Sequence, residues 1–266
     1  MENIKKLRDI TGAGMMDCKK ALEEANNDLE KAVEILRKKG IAKAAKRMDR
    51  ETNQGIIKLA VSDDHQNGYM VELNAETDFV ARNEKFQAFG DAVLEMIKKD
   101  KINDREALLA LPMGAGTVAS ELDVLSGVIG EKLNIKRCAT LSSNGSVAAY
   151  SHANGAIGVL VSLDQTDQAD LARDIAMHVA AANPDYLTPE EVPAEAIEKE
   201  KGVYREQLLK EGKPENMIEN ILQGKVNKYF EGICLLKQEY IKDDKQKVEE
   251  VLGTAKVEKF IRFSLQ

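Results

Sequence analysis

An α+β fold is predicted for this 266-residue chain, with helices and antiparallel sheets largely in separate stretches. Three observations predict it. The first 40 residues carry three apolar stripes at helical spacing. From Gly55 the pattern changes to alternation, arranged as strand, polar loop and strand. That hairpin is followed by helices and a third strand, and the same order recurs from Val147, interrupted by a long charged insertion.

In chain order, Ile4, Leu7 and Ile10 form the first stripe, and Thr11-Gly12-Ala13-Gly14 breaks it. Met16, Ala21, Leu22 and Ala25 line a second helix. Asn26-Asn27-Asp28 supplies a turn with Asp28 as N-cap, and Lys31 rather than Glu three residues on precludes a capping box. Leu29, Ala32, Val33, Ile35 and Leu36 make the third stripe, with Gly40 as the C′ residue. Lys43, Lys46, Arg47 and Arg50 then mark a basic, solvated linker over 41–52.

Gly55–Val61 and Tyr69–Leu73 read as strands flanking the loop 62–68. Phe86, Phe89, Val93, Leu94 and Ile97 give the next helix. Asp104–Leu111 is a short helical piece, Gly114–Thr117 a break, Ser120–Ile129 a further helix and Ile135–Leu141 a third strand. The second round comprises Val147–Ser151, a turn at His152-Ala153-Asn154-Gly155, Ala156–Leu163, a helix over Asp167–Ala182 and a last strand, Phe260–Leu265. Between helix and last strand, Ile197, Tyr204 and Leu208, then Met217, Ile218, Ile221, Leu222 and Val226, define two helices separated by Gly212-Lys213-Pro214. They read as an antiparallel helical hairpin of coiled-coil type. The implied domains are 1–50, 51–142 and 143–266, with the hairpin inserted at about 190–228.

Composition narrows the function. With 31% charged residues, a net charge of −7, 5% aromatics and no Trp, neither a grip on phosphate backbones nor stacking on single strands is expected, so no direct nucleic-acid partner. Cys18, Cys138 and Cys234 lie far apart, and the three histidines are isolated, so no metal site is expected. Met1 leads straight into a helical pattern without a signal-peptide core, and no apolar run approaches the ~18 residues of a membrane span. A cytoplasmic, reduced location is expected. Gly127-Val128-Ile129-Gly130-Glu131-Lys132 lacks phosphate-loop spacing, and no nucleophile motif occurs. No catalytic residue or cofactor is therefore assigned, and the protein is read as acting on another protein rather than as an enzyme.

The stretch that draws the eye is Thr77-Asp78-Phe79-Val80-Ala81-Arg82-Asn83, at a strand-to-helix junction. By residue type Phe79 fits a core position and Asp78 a helix cap; alternatively the pair faces a partner. The run resembles the T-D-F-V-A-[RK]-[ND] signature of translation elongation factor Ts, the nucleotide-exchange factors for elongation factor Tu. The resemblance extends through T-G-A-G-M-M-D-C-K-K-A-L at Thr11–Leu22, Tyr150–Gly155, Ile175–Ala181 and Phe260–Phe263. It implies that residues 1–50 are similar to ubiquitin-associated domains. It implies that Thr77, Asp78, Phe79 and Val80 enter the GTPase near its magnesium site, with Arg8, Met15, Met16 and His152 docking. The partner implied is elongation factor Tu, and a homodimer or 2:2 complex is compatible with the hairpin.

Overall fold

The computed structural model describes residues 1–265 and is of the α+β class, with antiparallel sheets. The chain opens with α1 (Glu2–Thr11), α2 (Met15–Glu24) and α3 (Leu29–Ala45). Leu7, Cys18, Ala21, Leu22 and Ala32 close a small core between them. Gly12 ends α1 in the left-handed region (φ 66°), and Asp28 caps α3 by accepting the Lys31 N–H at 3.1 Å.

Two three-stranded sheets follow. The first joins β1 (Gln54–Val61) to β2 (Asn67–Ala75) as a hairpin; α4 (Asp78–Ala81), α5 (Glu84–Asp100), α6 (Arg105–Ala110), the two-residue strands β3 (Pro112–Met113) and β4 (Gly116–Thr117), and α7 (Val118–Ile129) then lead to β5 (Leu133–Ser142) on the far side of β2. The second joins β6 (Ser146–His152) to β7 (Ile157–Leu163), followed by α8 (Ala169–Ala182), the helical pair α9 (Ala194–Lys210) and α10 (Glu215–Ile233), β8 (Glu239–Tyr240), β9 (Asp243–Lys247) and α11 (Val248–Leu252). Finally β10 (Val257–Ser264) pairs beside β7. Each sheet thus adds its third strand to the second strand of its hairpin.

The period-two alternation of the central strands explains the layering. Tyr69, Val71 and Leu73 of β2 face α5–α7, in one core with Phe86, Phe89, Val93, Ile97 and Leu122. Val159, Val161 and Leu163 of β7 face α8 and α11. The intervening residues meet each other: Met70, Ala139 and Leu141 pack against Val147, Leu160 and Phe263, so the two sheets share a third core. Glycine permits this approach, since a Cβ on Gly158 would stand 2.5 Å from Ile57 Cγ2. β2 is buried on both faces and carries Glu72 at 0% exposure. That carboxylate is met by Arg137 Nε at 2.6 Å and Lys136 Nζ at 3.1 Å, as a buried charge must be.

Several expectations need correction. Gly40 does not end its helix; α3 continues to Ala45, because Gly40 faces α7 at a close crossing, with a Cβ on Gly127 falling 2.5 Å from Gly40 Cα. The basic segment is not a solvated linker either. Arg47 donates to Ser126 O at 3.1 Å, Arg50 to Glu76 at 3.1 Å, and Lys132 Nζ to the carbonyls of Met48 and Arg50 at 2.5 and 2.7 Å. The hairpin's second helix runs on to Ile233, after which Leu235, Tyr240, Val248 and Leu252 fill the core beneath α8. Its own seam is Leu208, Ile218 and Leu222, joined by Tyr204 and Ile221.

Candidate functional site

The signature begins where β2 ends. Val80 and Ala81 are buried, at 7% and 9% exposure, and anchor α4 to the core below. In a single turn of helix the residue preceding such anchors points away from them, and Phe79 is accordingly 79% exposed. A bare phenylalanine of this kind is the informative exception to burial. Asp78 is half-exposed and pairs with Arg82 at 3.0 Å, one turn on. Asn83 caps the next helix, accepting from the Lys85 and Phe86 N–H groups at 2.9 and 3.4 Å.

The turn is braced from outside. Glu131 accepts the Thr77 N–H at 3.0 Å and its hydroxyl at 2.7 Å. Glu76 accepts the Lys132 N–H at 2.6 Å and pairs with Arg50; chiefly that N–H holds its carboxyl below the usual range, outweighing the opposing effect of burial. The sequence carries little sign of these partners, since Glu131-Lys132 there ends a run without phosphate-loop spacing. A left-handed Gly130 ahead of two opposite charges is a weak signal, and no local pattern ties it to Thr77.

Two concavities lie in this half of the molecule, and one of them adjoins the signature. The smaller, about 530 Å³, is bordered by Asp78, Ala81 and Arg82 on one side and Ala153, Asn154 and Ala156 on the other. The structure therefore brings the turn after His152 to the signature. That turn is sharp, with Ala153, Asn154 and Gly155 all at positive φ, and a Cβ on Gly155 would lie 2.6 Å from Ile56 Cγ1. His152 is exposed and stacks on Tyr150, ring centroids 6.1 Å apart. The larger, about 800 Å³, lies between the N-terminal helices and α5 and α7, and includes none of the four signature residues singled out above. Met15 and Met16 are 59% and 62% exposed, and Arg8 is exposed on α1. They do not border the smaller concavity. Lys85, just past the signature, lines the larger concavity and reaches over Gly12 at the end of α1.

Comparison with known proteins decides the family. The sequence model of the family described as Elongation factor TS matches residues 76–266. Elongation factor Ts of Nautilia profundicola is 48% identical over 98% of this chain and 91% of its own length. Those of Deinococcus deserti and Prosthecochloris aestuarii are 44% and 43% identical, covering 100% and 99% of this chain and 99% and 97% of their own lengths. The chain belongs to the elongation factor Ts family.

Membership gives it a translation elongation factor role. In this elongation factor Ts family member Phe79 is the most exposed large apolar side chain after Met1, which packing leaves unexplained. His178, by contrast, is a structural residue. It is fully buried, with Nε2 3.0 Å from Gln238 Oε1, while Nδ1 accepts the Ile241 N–H at 3.3 Å. Burial, partly opposed by the bond to Gln238, pushes its pKa down and keeps it neutral. The thiols of Cys138 and Cys234 are likewise pushed up to about 11 by burial, which removes them as nucleophiles. Among the described residues no group of three or more His, Cys, Asp or Glu could hold a metal ion, and no helix is long and apolar enough to cross a membrane.

Proposed function

We propose that this protein is a guanine-nucleotide exchange factor. It binds elongation factor Tu carrying GDP in the cytoplasm and promotes GDP release by disturbing the GTPase's magnesium and phosphate site. It needs no cofactor, makes no direct nucleic-acid contact and catalyses no covalent step. The observation that carries the reading is the 79% exposed ring of Phe79, on a turn whose neighbours are fixed. Family membership supplies the partner.

In this reading Phe79 wedges into an apolar pocket of the GTPase, and Asp78 leaves Arg82 to compete for polar groups that support magnesium. Thr77 and Val80 serve beneath them, since the hydroxyl of the one is held by Glu131 and the side chain of the other is buried. Arg8, Met15 and Met16 dock the N-terminal helices (1–50) on the GTPase, and His152 supplies a contact from the second sheet. The two α+β units, 51–142 and 143–266, hold these surfaces at a fixed spacing, while the hairpin serves a homodimer or 2:2 complex.

Burying one Phe contributes ~1.5–3 kcal/mol, and each ~1.4 kcal/mol is tenfold, so the wedge alone accounts for a ten- to roughly hundredfold change in affinity. Linkage makes the effect reciprocal: bound nucleotide weakens the factor as much as the factor weakens nucleotide. The test is the release rate of fluorescent GDP from elongation factor Tu with and without this protein. Acceleration supports the reading; binding that leaves the release rate unchanged makes the protein an adaptor instead.

A further inference from the structure

A threonine at a helix N-cap ordinarily uses its side-chain oxygen to accept a backbone N–H of the first turn. Thr77 holds that position at the head of α4, with extended φ −128° and ψ 157°, yet makes no side-chain cap hydrogen bond. Its hydroxyl is drawn outward to Glu131 Oε1 at 2.7 Å, and its N–H donates to Oε2 of the same carboxylate at 3.0 Å. One side chain, 54 positions along the sequence, thus grips both donors of the residue that starts the signature.

The grip matters because α4 has little stiffness of its own. It is four residues long, and the backbone bonds at its near end are long, Ala81 N to Thr77 O at 3.4 Å and Arg82 N to Phe79 O at 3.3 Å, whereas Asn83 N to Val80 O at 2.9 Å closes the far end. One such turn does not fix its own geometry in water. Val80 and Ala81 anchor its far side, so the direction of the intervening Phe79 depends on what holds the near end. Glu131 is itself held. Its carbonyl accepts the Ser126 hydroxyl at 2.6 Å, its neighbour Lys132 donates its N–H to Glu76, and the Lys132 ammonium bonds the carbonyls of Met48 and Arg50. A carboxylate fixed at its own backbone is a rigid brace rather than a trailing surface charge.

We propose that Glu131 is a positioning residue for nucleotide exchange: by clamping Thr77 it sets the direction in which α4 presents Phe79 to the GTPase. This inference rests on the wedge reading above. Both Glu131 carboxylate oxygens are taken up by Thr77, so its loss acts on how well the ring enters once the complex has formed.

The experiment measures GDP release from elongation factor Tu over a range of factor concentrations. It yields a saturated rate and a half-saturation concentration for the wild type, Glu131→Ala, Glu131→Gln, Thr77→Val and Phe79→Ala. Melting and amide exchange over residues 77–82 are recorded beside it. With two charge-assisted bonds lost, Glu131→Ala is expected to lower the saturated rate about tenfold while half-saturation moves less than about twofold. Amides 77–82 exchange faster at little change in melting. Glu131→Gln keeps an acceptor oxygen and returns the rate to within about threefold of wild type, and Thr77→Val, losing the hydroxyl arm alone, falls between.

A wild-type saturated rate in Glu131→Ala beside a slow Phe79→Ala overturns the inference and leaves the wedge standing. So does a Glu131→Gln variant no better than Glu131→Ala. If Glu131→Ala does not fold, Thr77→Val decides, and a wild-type rate there overturns the inference. Phe79→Ala releasing GDP at the wild-type rate overturns the wedge reading and this inference together.

Discussion

Gly127 of α7 lies so close beneath Gly40 of α3 that a Cβ added to it would stand 2.5 Å from the Gly40 Cα, whereas a Cβ on Gly40 meets nothing nearer than 3.6 Å. The two glycines of one helix crossing are therefore not equivalent. Gly127→Ala must push α3 away from α7, disturbing the Arg37–Glu121 pair at 3.1 Å and the Arg47 bond to Ser126 O. It is expected to lower melting and weaken binding of the partner. Gly40→Ala, in ordinary van der Waals contact within a helix, is expected to gain about 0.5–1 kcal/mol from reduced chain freedom. Thermal melting of the two variants checks the asymmetry; equal effects would contradict this crossing.

Arg137 is expected to be the side chain that most firmly ties the two sheets. Besides Glu72 it stacks on Phe263, 4.1 Å from the ring centroid, and donates to Ser264 O at 3.2 Å. Arg137→Met leaves Glu72 fully buried with Lys136 as its one remaining ion pair, beside the Asn74 amide at 3.2 Å. Breaking a buried pair costs ~3 kcal/mol or more, which for a chain of this size corresponds to roughly 6–12 °C of melting temperature. Arg137→Met with Glu72→Met together should be milder than the sum, since no charge is then stranded. Strict additivity would refute the coupling.

Stability should fall in mild acid through His178. Burial lowers its folded pKa below the ordinary 6.5, so the unfolded chain binds the proton first as pH drops. The contribution is complete above 6.5 and is lost progressively on going below it, as protonation removes the acceptor facing the Ile241 N–H. Denaturant melts between pH 7.5 and 5 check this. His178→Phe should flatten the fall relative to wild type; an identical slope would assign it to other groups.

The helical hairpin should be separable from exchange. Its seam of Leu208, Ile218 and Leu222 is self-contained, and Val203, Leu209 and Met217 face outward. Replacing 194–228 with a short Gly/Ser loop is expected to leave the GDP release rate within about tenfold, ~1.4 kcal/mol. A larger loss in a folded variant would give the hairpin a direct role. Its exposed apolar residues predict a change in oligomeric state instead, measurable by light scattering.

Much of this architecture was legible because one face of each element is buried. Phe86, Phe89, Val93, Leu94 and Ile97 announced α5, and alternation announced β1, β2, β6 and β7. What escaped was non-local. Glu72 looks like the polar half of an alternating strand, and only the second sheet turns that face into a core. Gly40 looks like a helix stop until Gly127 arrives beside it. The segment 239–247, rich in Lys and Asp, carries no periodicity, yet Tyr240 within it packs into the core beneath α8. In the candidate site the sequence pointed to Phe79 and Asp78. It was silent on the brace from Glu131, which follows α7, four elements beyond α5, and is tied to Thr77 only by tertiary contact.

The central claim is that Phe79 acts outside its own fold. Cutting a core phenylalanine to alanine costs ~3–5 kcal/mol, and a ring 79% exposed has little of that to lose. The most direct measurement pairs thermal melting of Phe79→Ala with GDP release from elongation factor Tu at saturating factor, and uses Asp78→Ala as the polar control. The account predicts melting close to wild type, GDP release slowed by ten- to roughly a hundredfold, the loss of ~1.5–3 kcal/mol of burial, and a smaller defect in Asp78→Ala. A variant that melts many degrees lower, or one that melts normally and releases GDP as fast as wild type, would contradict it.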